Sequence, residues 1–368
     1  MRHALGQRRL RALDAKITPA IARLSRERWE RPVLRGAAVD ANAWVGLVDA
    51  SVRASRQFPQ RGHADFDAAL EAGRDLPASW TQRVTPARDA LAALRAATQR
   101  SWSWNPSPVP APSAPMPPLG DVARASRGLL TQALASPPAE CLAICADVVR
   151  VGQDFSAGQG PLGLAMEGLL SRLAVAAARR CAATADADAR AHATTEFSAL
   201  HRAWRPLGAF KAVDTLGIAR AVVTELDAGL PPAGLQRLAY LWYRPDAIER
   251  IAWTVDQLPR WRSAGATGDD PAALDRLVEE ENARLMGNDI TQMVAAAFGR
   301  IIERGRSGRA WVGAMAAALS GPGASMADPF STAPVAVTRD ASGVTARSVG
   351  PDRRAGTTDD VVVTLPAP

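Results

Sequence analysis

Three aspartates near the C-terminus, Asp352, Asp359 and Asp360, share a short stretch with two glycines, Gly350 and Gly356. Ca²⁺ takes six to eight oxygens from carboxylates, carbonyls and water. Glycine lets a loop turn carbonyls inward because positive φ carries no side-chain penalty. The donors of a Ca²⁺ site are therefore present, although their spacing is not that of an EF-hand. The alternative is that the aspartates close local Asx turns and solvate the loop.

A second group is sulfur. Cys141 and Cys145 stand one helical turn apart, and Cys181 lies near the end of the next expected helix, beyond the turn Ser156-Ala-Gly-Gln-Gly-Pro161. Antiparallel packing brings Cys181 toward Cys141 rather than Cys145. In an oxidising compartment a Cys141–Cys181 disulfide would staple that hairpin. The competing reading is three buried side chains acting as small hydrophobes. No second ligand pair has a zinc spacing, so a metal is not expected there.

The remaining candidates are weaker. His3, His63, His192 and His201 form neither an HExxH pattern nor a triad. His192 and Glu196 share a helix face, as a ligand pair or, more commonly, a surface ion pair. The run Glu279-Glu-Glu281 reads as a solvated helix face. Gly158-Gln-Gly-Pro-Leu-Gly163 lacks the Lys-Ser/Thr of a phosphate loop and follows no strand, so it reads as a turn. Trp102, Trp104, Trp204, Trp242, Trp253 and Trp261 read as core packing, with an aromatic ligand groove as the alternative. No catalytic or cofactor-binding residue is assigned, and a non-enzymatic protein is expected.

The elements that must position these residues are mainly helical. Expected helices span 5–29, 40–56, 66–72, 85–100, 121–135, 138–154, 162–183, 187–204, 214–229, 246–258, 271–286, 289–304 and 308–319. Leu10, Leu13, Ile17, Ile21 and Leu24 keep helical spacing, with Pro19 predicted to kink or split that first helix. Asp40 and Thr85 are the expected N-caps of the helices that follow them. Asp121, Asp214, Pro245-Asp246 and Asp270-Pro271 mark further starts, and Gly229, Gly265 and Gly287 mark stops. Trp29 to Gly36 reads as an extended connector. Seven prolines between Pro106 and Pro118 exclude helix and make a semi-rigid spacer or a strap over the helices.

Val335-Ala-Val-Thr and Val344-Thr-Ala-Arg around Asp340-Ala-Ser-Gly343 predict a hairpin. The apolar run Val361-Val-Val-Thr-Leu365 predicts a strand covered on both faces. The expected architecture is a mainly α multi-helix bundle or helical-hairpin array with a small C-terminal antiparallel β appendage. It divides into an N-terminal helical region (1–104), a Pro-rich linker (105–118), a helical body (119–321) and a β tail (328–366).

Asp328-Pro-Phe330, followed by Ser348-Val-Gly-Pro-Asp-Arg-Arg-Ala-Gly-Thr-Thr-Asp-Asp-Val361, resembles the C-terminal region of the major pseudopilins of type II secretion systems. That resemblance covers about forty residues and implies a calcium-binding loop. Asp352 and Asp360 would be its carboxylate ligands, with Asp359 adjacent and carbonyls near Gly350 completing the shell. The chain departs from the family in two ways. It lacks the long apolar N-terminal helix, and Arg353-Arg354 stands where small or acidic residues are usual. It is not itself a pseudopilin. The ending, with Trp29 to Gly36 and Asn42-Ala-Trp44, is also similar to large extracytoplasmic proteins of high-GC bacteria.

Composition bounds the function further. Apolar residues make up 47% of the 368, enough for a real core, and the net charge is +7. Only Lys16 and Lys211 are lysines, so the basicity is almost all arginine, and most of it is interspersed with acids. The dense cluster is Arg2, Arg8, Arg9 and Arg11. No run reaches the 18–20 apolar residues of a membrane span, and Met1 to Arg9 has no apolar signal region. The expectation is a cell-envelope or periplasmic helical scaffold or secretion-associated binding protein with a calcium-stabilised tail and a protein partner. The alternative is a cytoplasmic interaction protein whose arginine-rich surface meets an acidic partner or nucleic acid.

Overall fold

The computed structural model describes residues 2–110, 114, 116–227, 245–266, 271–285 and 289–366. Within them lie thirteen helices and two three-stranded sheets. Helix α1 (Arg2–Leu24) runs through Pro19 as one element, neither split nor ended there. Its stripe of Leu10, Leu13, Ile17 and Leu24 is buried.

The segment after α1 departs most from expectation. Trp29–Glu30 is a strand, β1; β2 is Val39–Asn42; β3 is Arg100–Ser103. β3 is central, antiparallel to β1 and parallel to β2. The connector is thus tied into a sheet, and the helix expected to reach Arg100 stops at Ala97. Strands of two to four residues are too short for an alternating pattern to show, and their pairing is non-local. Between β2 and β3 lie α2 (Ala43–Ser55), α3 (His63–Glu71), the unanticipated α4 (Ala78–Thr81) and α5 (Val84–Ala97). Two caps are corrected. Asp40 sits in β2, and Asn42 caps α2 by accepting from the Trp44 amide at 3.1 Å. Thr85 lies inside α5, whose cap is Arg83.

The body follows: α6 (Leu119–Leu134), α7 (Pro138–Ser156), α8 (Pro161–Ala182), α9 (Ala187–Arg202), α10 (Leu207–Asp227), α11 (Pro245–Ala266), α12 (Pro271–Leu285) and α13 (Asp289–Ser320). Helix α7 is the axis: from Val148 to Ser156 every residue is buried, and it packs on α2, α6, α8 and α9. Helix α10 begins ahead of the predicted 214, α11 runs through Pro259 and contains Gly265, and α13 joins the two predicted helices into 32 residues. Gly305 and Gly308, where the two predicted helices part, face α8. A Cβ on Gly308 would lie 2.6 Å from the Gly168 Cα, and one on Gly168 would lie 2.7 Å from the Arg304 carbonyl oxygen. They let two backbones approach. Gly229, Gly287, Asp270 and Trp242 fall outside the described residues.

Helix α8 has the length and composition to cross a membrane, a match hidden in the sequence by Glu167 and Arg172. Over half of its most apolar window, 56%, is buried, and α7 and α13 flank it, so it is a core helix.

The C-terminal sheet is β4 (Ala336–Asp340), β5 (Gly343–Ser348) and β6 (Val361–Pro366), antiparallel in that order. At the predicted hairpin the Asp340 carboxylate accepts from the Ser342 and Gly343 amides at 2.8 and 3.2 Å. β6 is not covered on both faces. Val361, Val363 and Leu365 are buried and Thr364 and Pro366 exposed, the one-sided pattern of a strand with a single packed face. Val344, Ala346 and these three residues join the main core with Val312, Met315 and Ala316 of α13. A second cluster gathers α1, α10 and α11 around Trp104 and Val109, and a third centres on Phe210 and Trp261. Val109, from the proline-rich stretch, is buried, and its carbonyl accepts from Arg220 at 2.6 Å.

Candidate functional site

Asp147, Arg150 and Asp154 are charged residues spaced along the buried part of α7, and the segment Trp29 to Arg35 meets them. Arg31 donates from Nε and Nη2 to the two carboxylate oxygens of Asp154 at 2.7 and 2.6 Å. Both side chains are 0% exposed. Arg31 also donates to the Arg100 carbonyl, and Ser103 Oγ donates to the Asp154 carbonyl at 2.8 Å. One turn or more earlier, Asp147 accepts from Arg35, from Arg95 Nε at 2.9 Å and from Thr98 Oγ1 at 3.3 Å. Arg35 continues to Glu196 at 2.5 Å.

Desolvation pushes the carboxyls of Asp147, Asp154 and Glu196 upward, against the arginines that pull them down. Arg150 lies beneath, bonded to the Pro32 carbonyl at 3.2 Å and facing the Trp29 ring. Burial lowers its guanidinium to about 9. This ionic clasp fastens the N-terminal sheet to the central helix. Asp147, Asp154 and Glu196 are each met by an arginine, while Arg150 Nε and Nη1 are buried without a hydrogen-bond partner.

The cysteines lie at the open end of the α7–α8 hairpin. Cys141, early in α7, and Cys181, in the last turn of α8, form a disulfide with Cα atoms 6.0 Å apart. Cys145 is a buried free thiol, pushed up by burial and then by the nearby Asp147 carboxylate. All three sulfurs lie within 4.8 Å of one another, and among the described residues they form the group able to hold a metal ion.

In the acidic loop the carboxylates turn toward the loop's own donors. Asp352 accepts from the Arg354 amide at 2.8 Å, Asp359 from the Asp352 amide at 2.9 Å, and Asp360 from the Gly356 amide at 2.8 Å. All three also approach Thr357 Oγ1, closest for Asp359 at 2.6 Å. Asp360 is 1% exposed and paired with Arg347 at 2.8 Å, while Arg353 leaves the loop to meet Asp275. Gly350, at φ 66°, is required: a Cβ there would strike the Asp359 carbonyl. A cation entering this loop would have to displace Arg347 from Asp360 and the Thr357 hydroxyl from Asp359. The Asp328-Pro-Phe330 element has a defined task. Asp328 accepts from the Phe330 amide (2.9 Å), Ser348 Oγ (2.8 Å) and the Val349 amide (3.1 Å), closing the end of β5.

No family model, curated protein or solved structure matches the chain.

Several single-residue expectations resolve differently. Glu196 faces Arg35, while His192 Nδ1 contacts its own Asp188 carbonyl at 2.8 Å. Of the glutamate run, Glu280 is a solvated partner of Arg260, but Glu281 is buried against Lys211 at 2.6 Å. His201 is half-buried against Gly313. Desolvation, then the Arg309 charge, lower its imidazole to about 4.

Two surface depressions lie among the described residues. A groove of about 540 Å³ between α8 and α13 is lined by Leu162, Met166, Leu169 and Trp311, with Arg172 and Arg304 at its rim. A smaller one, about 320 Å³, lies among α1, α10 and α11, where Lys16 pairs with Asp256 at 2.6 Å. The first offers apolar contact and positive charge but no general acid or base. Sequence reasoning missed the clasp, although charges at 147, 150 and 154 inside an apolar helix were the available signal.

Proposed function

We propose that this chain is a non-enzymatic helical scaffold or secretion-associated binding protein of the cell envelope. The observation that carries the reading is the ionic clasp. The buried carboxylates of Asp147, Asp154 and Glu196 are closed by arginines that join segments, whereas catalytic groups stand in a cleft with chemistry left to do. The Cys141–Cys181 disulfide supports an oxidising compartment, and the pseudopilin-like ending supports an extracytoplasmic setting.

Calcium enters this reading as a competitor of Arg347 for the acidic loop. A rise in Tm with added Ca²⁺ that disappears in Asp352→Asn and Asp360→Asn supports an ion there. An unchanged Tm leaves Arg347 as the loop's cation.

The experiment is fractionation of the native protein after alkylation of free thiols, with intact mass and a non-reducing peptide map. Recovery with the envelope and a linked Cys141–Cys181 peptide is the expected result. Cytoplasmic recovery with three alkylated cysteines overturns the reading and favours the arginine-rich surface, for which steep salt dependence of binding to an acidic partner is the signature.

A further inference from the structure

Three cysteines converge where a disulfide uses two. Cys141 and Cys145 project from one face of α7 and Cys181 from α8, with sulfurs mutually within 4.8 Å and residue exposures of 1%, 0% and 6%. The neighbours in this core cluster include Leu142, Ala146, Ala178 and Ala182. Among the described residues the group contains no histidine or carboxylate. When a reductant opens the disulfide, three thiols face one another within the hydrophobic core cluster.

The charge of the product selects the ligand. Soft thiolates favour thiophilic centres, but a buried ion must be compensated or it costs several kcal/mol. Three thiolates on a monovalent ion leave a charge of minus two. On zinc they leave minus one and an unfilled fourth position, beside the Asp147 carboxylate. On a trivalent three-coordinate centre they leave none, and its lone pair fills the fourth direction. We propose that the reduced Cys141–Cys145–Cys181 cluster is a binding site for a trivalent thiophilic centre, of which arsenite is the simplest.

The step balances as As(OH)₃ + 3 RSH → As(SR)₃ + 3 H₂O. Three As–O bonds break, three As–S bonds form, and each thiol proton leaves with a hydroxide as water. No electron moves in this step, and the disulfide and the ligand exclude each other. Entry needs only fraying at the open end of the hairpin, since Cys141 and Cys181 lie within a turn of their helix ends. The site forms only in the reduced chain, whereas the scaffold reading rests on the oxidised one, so failure to bind arsenite would leave that reading standing.

The test uses the full chain reduced with a phosphine, which with one water converts the disulfide to two thiols and itself becomes the phosphine oxide, and which does not chelate arsenic as a dithiol would. Equilibrium dialysis against arsenite, with elemental analysis and circular dichroism, is expected to show one arsenic per folded reduced chain and none on the oxidised chain. Cys145→Ser keeps the disulfide pair but removes the third ligand. It should weaken binding at least as much as loss of an outer-shell partner does, about tenfold or more; Cys145→Ala repeats the test without a hydroxyl. X-ray absorption should show three As–S bonds. The proposal is overturned by no stoichiometric uptake, by binding as tight as the parent's in both variants, by uptake only with unfolding, or by preference for copper(I) or zinc over arsenite.

Discussion

Removing one member of the Arg31–Asp154 pair leaves the other charged, buried and uncompensated, because both side chains are fully enclosed. Arg31→Met should therefore cost about 3–5 kcal/mol, and the double change Arg31→Met/Asp154→Leu should recover most of it. Denaturant unfolding of the two variants beside the parent checks this; equal losses would mean the pair contributes through packing alone. His201 supplies a second residue-scale expectation. Its imidazole is held at about 4 in the folded chain against 6.5 ordinarily, so the unfolded chain binds the proton more readily. Stability from this group is present above pH 6.5 and is lost as pH falls toward 4, by about 3 kcal/mol. The raised carboxyls of Asp147, Asp154 and Glu196 act in the opposite sense. The informative quantity is thus the difference between the stability–pH curves of the parent and His201→Gln, which should lack the loss.

Elements meet where side chains are missing or where one carboxylate serves several donors. At the α8–α13 crossing, Gly168 faces the Arg304 carbonyl and Gly308 faces the Gly168 Cα. A methyl group there forces backbones apart, so Gly168→Ala should destabilise by about 1–3 kcal/mol, despite alanine's better helix propensity. A stabilised Gly168→Ala in thermal melts would show that the helices separate freely. At the other edge of α13, Asp328 holds Phe330, Ser348 and Val349. Asp328→Ala should release the end of β5 at a cost of about 1–3 kcal/mol. Hydrogen exchange at the Val349 amide should accelerate before that of the β5–β6 ladder; uniform acceleration of the whole sheet would point to global unfolding instead.

Across the whole molecule, the disulfide closes a separation of 40 residues, and constraint of the unfolded chain over such a loop stabilises by about 4 kcal/mol in the chain-entropy model. Urea unfolding with and without a phosphine reductant should show a lower midpoint and a higher m-value for the reduced chain, whose unfolded state is less compact. A midpoint that does not move would mean the α7–α8 packing already restricts the unfolded ensemble. The main core runs from α2 through α7 and α8 to the C-terminal sheet. Loss of the staple should therefore be felt in the sheet as well as in the hairpin.

Local periodicity in the sequence was enough to determine that the chain is mainly helical, that its C-terminus is an antiparallel hairpin plus a third strand, and that Cys141 is the nearer partner of Cys181. Each depends on neighbours within a few turns or on one short connection, and side-chain spacing records such relations directly. Three other features rest on contacts between segments far apart in the chain. These are the β1–β3–β2 sheet, the Arg31 and Arg35 clasp on α7, and the continuity of α13 through its glycines. A two-residue strand has no period to read. An arginine in a connector looks solvated until a buried aspartate is placed opposite it, and a glycine reads as a break until another helix occupies the space its side chain leaves. In the acidic loop the residue types announced a cation's donors, but only the fold put Arg347 against Asp360 and the Thr357 hydroxyl among the carboxylates, because a guanidinium from β5 and a loop hydroxyl reach those oxygens only after the strands have paired.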